Sequence, residues 1–143
     1  MGDRSTAPSL AALFDYGKRR IAAQRYPGAR HTCRPFSCPE CGLVPLALRI
    51  EHHTGSKKSN FRGVVFGHCS VCKRERQVFS FTGKHRSYLR EEMPACACGK
   101  ALFFVGMVER YESEEGLPGF FDEGVIVGEC AACGRRTAFL FTD

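Results

Sequence analysis

At 143 residues the chain has room for one ordinary domain or two small ones, and nine cysteines are far more than a reduced apolar core uses. No apolar run approaches the roughly 18 residues of a membrane span, and residues 1–14 lack the apolar core of an export signal, so neither a membrane protein nor a secreted disulfide framework is expected. The net charge of +6 is unevenly spread: residues 1–38 carry +5, residues 39–95 carry +5 and residues 96–143 carry −4.

In chain order, residues 1–37 read as a helix and a basic linker. Leu10, Leu13, Phe14, Gly17 and Ile21 recur at helical spacing, Ser9 offers a cap and Pro27-Gly28 a stop, which predicts an N-terminal amphipathic α-helix. Cys33 stands alone in this segment. A lone cysteine is read as a small apolar packer, the minor alternative being an extra ligand together with His31.

Residues 38–83 form the first candidate module. Cys38-Pro39-Glu40-Cys41-Gly42 is followed by Leu46, Leu48 and Ile50 alternating with polar neighbours, the period-two pattern of a half-buried strand. The turn residues 54–60 then return the chain through 61–68 to Cys69-Ser70-Val71-Cys72, and a third strand is expected over 76–81. Residues 84–95 read as a linker with one helical turn at most. His52, His53, His68 and His85 have no ligand pairing of their own and are read as surface or partner-contact residues.

Residues 96–143 repeat the plan. Val64-Val65-Phe66-Gly67-His68-Cys69 lies over Val125-Ile126-Val127-Gly128-Glu129-Cys130, and Phe79-Ser80-Phe81-Thr82 over Phe139-Leu140-Phe141-Thr142. Phe103, Val105 and Met107 supply the leading strand, the turn falls at 113–119, and Thr137 opens the last strand. The first cysteine pair of this copy, Cys96-Ala97-Cys98-Gly99, has a one-residue spacer where the other three pairs have two.

Paired cysteines at the two ends of a hairpin bring four thiolates to one tetrahedral ion, so two structural Zn²⁺ are expected, on Cys38, Cys41, Cys69 and Cys72 and on Cys96, Cys98, Cys130 and Cys133. Rubredoxin-like iron is the chemical rival. Cross-brace ligation, with alternate pairs sharing an ion, is the topological one, and duplicated units favour sequential ligation instead. Two such ions with four thiolates each would lower the formal charge to about +2. A ribbon of this size buries too little to fold alone, so metal and fold are one equilibrium. Cys69→Ser is then expected to destroy the first module and spare the second.

The knuckles, hairpin and third strand of residues 38–82 resemble the zinc-ribbon superfamily, whose rubredoxin-like modules they match in spacing, and the second half resembles a further copy. The resemblance implies a small, metal-stabilised, mainly β protein of two tandem zinc ribbons, each a three-stranded hairpin module. It also implies roles in nucleic-acid contact or protein docking. Lys57, Lys58 and Arg62 beside Phe61, then Lys73, Arg74 and Arg76, then Lys84 and Arg86 near Tyr88, interleave cations with aromatic rings as phosphate contact and base stacking require. Leu117, Phe120 and Phe121 in the acidic second copy offer a protein-docking tip.

The reading is a zinc-binding, nucleic-acid-associated accessory protein of a reducing compartment, cytoplasmic or nuclear. The alternative is a purely protein-binding adaptor or subunit of a larger complex. No membrane or small-molecule substrate is expected. Asp122-Glu123 is similar to the acidic pair of transcript-cleavage factors, but that family's surrounding motif is absent and no catalytic constellation is recognised.

Overall fold

The computed structural model describes residues 10–21, 30–57, 60–81, 87–111 and 123–142. Among these residues one helix, α1 (Ala11–Arg20), precedes eight strands: β1 (Arg30–Phe36), β2 (Leu46–His53), β3 (Gly63–Cys69), β4 (Glu75–Phe81), β5 (Tyr88–Glu92), β6 (Phe103–Tyr111), β7 (Glu123–Cys130) and β8 (Arg136–Thr142). All pairings are antiparallel. Among the described residues, no helix is long and apolar enough to cross a membrane.

The two three-stranded hairpins expected from the repeat are present as β2-β3-β4 and β6-β7-β8. Their leading strands bury the residues that period two assigns inward: Leu46, Leu48 and Ile50 on β2, and Phe103, Val105 and Met107 on β6, all at 3 % exposure or less. The hairpins are not separate modules, however. β2 and β6 pair at Leu46↔Phe103, giving one eight-stranded sheet with the path β4-β3-β2-β6-β7-β8. The inward residues of both halves merge into one core, where Phe36, Leu48, Phe61 and Val65 join Val105, Met107, Ile126 and Leu140.

The two strands outside that path lie in segments that read as linkers, and each crosses to the other half. β1, which leads into the first cysteine pair, pairs with β6 of the second hairpin, while β5, which leads into the third pair, pairs with β2 of the first. The exchange is in matching register. Arg34 and Glu92 each stand four residues before the first cysteine of their copy, and they sit opposite Met107 and Ile50, each four residues beyond the Phe103↔Leu46 contact. Thr32↔Glu109 and Arg90↔His52 repeat the correspondence two residues further out. The chain is thus a pseudo-two-fold pair of four-stranded units with swapped leading strands, whose axis passes by Leu46 and Phe103.

α1 breaks that symmetry. It packs Leu13 and Ile21 on Val108, Val125 and Val127, the outer face of the second half. Close approach depends on glycine. A Cβ on Gly17 would lie 2.6 Å from a Val108 methyl, and one on Gly106 would lie 2.8 Å from the Phe14 ring. Leu10 stands at the N-cap without a side-chain bond, and the expected Ser9 cap and Pro27-Gly28 stop lie outside the described residues. On the first half the equivalent face carries a charged cover, in which Arg49 reaches Glu51 (2.7 Å), Glu75 (2.8 Å) and Glu91 (3.1 Å) and stacks over Phe66.

Candidate metal centres

Each cysteine pair sits in a tight loop closed by its own backbone. Cys38 N–H donates to Gly42 O and Gly42 N–H to Cys38 O (2.9 and 2.8 Å); Cys69 and Cys130 donate to Arg74 O and Arg135 O (both 2.9 Å), with Lys73 and Gly134 donating back. The residue after the second cysteine is left-handed in all four loops: Gly42 (φ 83°), Lys73 (67°), Gly99 (93°) and Gly134 (79°). This reversal turns both sulfurs to one side. The short pair keeps the design with one residue fewer, since Gly99 N–H reaches Cys96 O (2.8 Å) and Cys96 N–H reaches Lys100 O (2.7 Å).

The loops close pairwise as the repeat predicts. Cys38, Cys41, Cys69 and Cys72 form one cluster and Cys96, Cys98, Cys130 and Cys133 the other, each with its four sulfurs within 4.8 Å of one another. The cysteine pairs are therefore grouped sequentially and not cross-braced. Sγ···Sγ distances of 3.7 Å (Cys38–Cys72), 3.5 Å (Cys96–Cys133) and 3.6 Å (Cys98–Cys130) are far too long for disulfides. They match the edge, about 3.8 Å, of a tetrahedron with metal–sulfur bonds of about 2.3 Å.

The electrostatics call for a cation. N–H groups of Cys41 and Glu40 aimed at Cys38 hold that thiol down to about 6, and those of Cys72 and Val71 lower Cys69. At Cys130 burial opposes ionisation, but the Cys133 and Ala132 N–H groups win and bring it to about 7. The partner thiols go the other way. Burial and three neighbouring sulfurs push Cys41 up to about 12; at Cys98 the Lys100 N–H favours the thiolate, yet Cys96, burial, Cys130 and Cys133 together raise it to about 11. Four sulfurs this close ionise together only around a positive charge, and a divalent ion supplies it. Both clusters fit a structural Zn²⁺.

No family model matches the chain, and no curated protein or solved structure matches it either.

Around the first cluster the basic residues are engaged. Arg74 and Arg76 converge on Glu40 at 2.7 Å, and although burial opposes the charge of Arg76, the nearby Cys38 sulfur and Glu40 raise its pKa. Arg62 bonds Asn60 and the Phe61 carbonyl and lies over the Phe81 ring, and Lys73 Nζ caps Ser70 O. Lys57 is exposed. Lys58, Lys84, Arg86, Leu117, Phe120 and Phe121 lie outside the described residues, as do His85 and Asp122; Glu123 opens β7, 3.7 Å from Arg110.

Two sequence readings need correction. Cys33 is exposed on β1, outside both clusters, and is no core packer. His52 is buried at 5 % exposure, between Ser56 Oγ (2.9 Å from Nδ1) and Glu92 Oε1 (2.8 Å from Nε2), with the Phe61 ring edge-on. Ser56 Oγ also accepts the Arg62 N–H, so this row ties the β2–β3 turn to β5. The signal was available, because His52 continues the Leu46, Leu48, Ile50 alternation.

Proposed function

We propose that the protein is a doubled zinc ribbon acting as a nucleic-acid-associated accessory module, with its metals holding shape and a basic edge making the contact. Four thiolates fill the coordination sphere of a zinc, leaving no position for an activated water, which supports a binding role over a metal-catalysed one. The observation that carries the reading is the α1–β1 edge. Lys18, Arg19 and Arg20 end α1 and Arg30 and Arg34 lie on β1, and among the described residues none of them has a carboxylate within ion-pairing distance. Lys18 lies close enough to β1 to lower the pKa of His31, behind burial as the larger cause, and Phe14 and the Arg34 backbone both meet Gly106. Cations already held by Glu40 or Glu75 have less to offer a phosphate.

The test is fluorescence anisotropy of a labelled single-stranded RNA with the zinc-loaded full chain. Affinity is expected to fall steeply between ~50 and ~200 mM salt, and Lys18→Ser/Arg30→Ser/Arg34→Ser to flatten the log–log salt slope by about 2. Lys73→Ser/Arg74→Ser is expected to change it less. Absence of binding at the lower salt, or a triple variant that binds like the parent, refutes the reading.

A further inference from the structure

Beyond nucleic-acid contact, the sheet leaves an opening that suits a different partner. A cleft of about 660 Å³ is lined on one side by Arg135 to Leu140 without a gap and on the other by Arg90 and then Glu92 to Ala97. Five consecutive residues of β8, with Arg135 just before them, cannot all face a cleft with their side chains, because neighbours on a strand point to opposite faces. The cleft therefore meets the strand edge-on. Among the described residues β8 pairs only with β7 and β5 only with β2; Phe61 N–H donates to Phe141 O near the end of β8, which leaves the β8 edge over Arg136 to Leu140 and the outer edge of β5 without a strand partner at the opening. Open edges of this kind accept an added strand through main-chain hydrogen bonds.

The side chains state what kind of strand. Arg135, exposed and without a carboxylate partner among the described residues, stands at the opening with Arg90 and Arg136. Arg136 is shared with Glu129 (3.1 Å), and Arg90 is 3.9 Å from Glu92, which is itself held by His52. Arg135 is thus the cation at the mouth whose charge no carboxylate already meets. Phe103, Phe139 and Leu140 give the cleft an apolar wall, and Met93, more than half exposed, adds an apolar group on the β5 side. We propose that this cleft is a docking site for an extended peptide segment of a partner protein that alternates acidic with apolar side chains and adds as a strand to β8. Its backbone completes the β8 edge, its carboxylates meet Arg135 and Arg90, and its apolar residues cover Phe139 and Met93.

The experiment titrates a panel of capped peptides, alternating Glu with Val, Ile or Tyr, into the isotope-labelled, zinc-loaded full chain. Expected are saturable amide shifts over β8 and β5, slowed hydrogen exchange in β8, and at least about tenfold weaker binding of the matching Lys-for-Glu peptides. Arg135→Glu should reverse that preference with the β6–β7 amides unmoved, which separates lost charge from lost fold. Alternate N-methylation of a binding peptide should abolish the effect. The proposal is overturned if no peptide shifts the β8 amides at millimolar concentration, if Glu and Lys peptides or N-methylated forms bind alike, or if single-stranded RNA and not peptide moves those amides.

Discussion

Lys73 is the one residue of its kind in the four metal loops. The other three loops place glycine in the left-handed region after their second cysteine, and Lys73 adopts φ 67° with a Cβ, its ammonium compensating in part by capping Ser70 O. Left-handed backbone costs an L-residue about 1–2 kcal/mol, of which the greater chain entropy of an unfolded glycine returns about half. Lys73→Gly is accordingly expected to stabilise the zinc-loaded protein by about 0.5–1 kcal/mol in urea unfolding, and Gly134→Ala to destabilise it by a similar amount. Arg76 gives the second expectation at this scale. Its guanidinium bonds Glu40, and the Cys38 sulfur lies close enough to favour its charge against burial, which makes it a cation that offsets a four-thiolate site of formal charge −2. Outer-sphere partners of this type are worth about 10–100-fold in metal affinity, so Arg76→Ala should loosen the first zinc by that factor in competition with a chromophoric chelator. The eight ligands were legible in the sequence because their spacing encodes the loops. Arg76 was legible only as a cation, since nothing in linear order reveals that Glu40 and Cys38 stand across from it.

Among the elements, the hairpins could be read and the exchanged strands could not. Leu46, Leu48 and Ile50 announce β2 because one face of it is buried and the other is not. In β5 all five residues are exposed, and in β1 only Phe36 is buried, so neither strand carries an apolar period; backbone pairing holds both, with Glu91 on Arg49 and Glu92 on His52 adding to β5 and Phe36 anchoring β1. The metal loops also differ in a way that spacing does not show. In the first cluster two cysteines are buried and two half-buried, whereas in the second Cys98 and Cys133 are exposed and only Cys130 is buried. Exposed sulfurs admit a chelator or an oxidant directly to the metal. Under limiting chelator the second zinc should leave first, read as faster alkylation of Cys98 and Cys133 than of Cys41 and Cys72 by mass spectrometry. Equal alkylation of the two sets would show that exposure does not set the order.

At the scale of the molecule, two independent ribbons were expected, and the swapped strands replace that with the expectation of a single cooperative unit. β1 reaches β6 across the pseudo-two-fold, β5 reaches β2, and Phe61 N–H bonds Phe141 O at 2.8 Å, so neither half owns all the strands that its own core requires. Leu46 and Leu48 lose their opposing wall if Phe103, Val105 and Met107 leave, and the reverse holds equally. Zinc contributes on the order of 10 kcal/mol to small ribbons, comparable with the whole stability of a domain. Removing one site therefore withdraws support from a core that the other site shares. Cys69→Ser, placed where the first cluster is most buried, should strip both ions: native mass spectrometry is expected to find well under one zinc per chain, and hydrogen exchange to find β6 to β8 unprotected. A variant that keeps one full equivalent of zinc with protected amides in β7 would mean that the second half stands alone, and that the exchange of β1 and β5 joins two folds without coupling them.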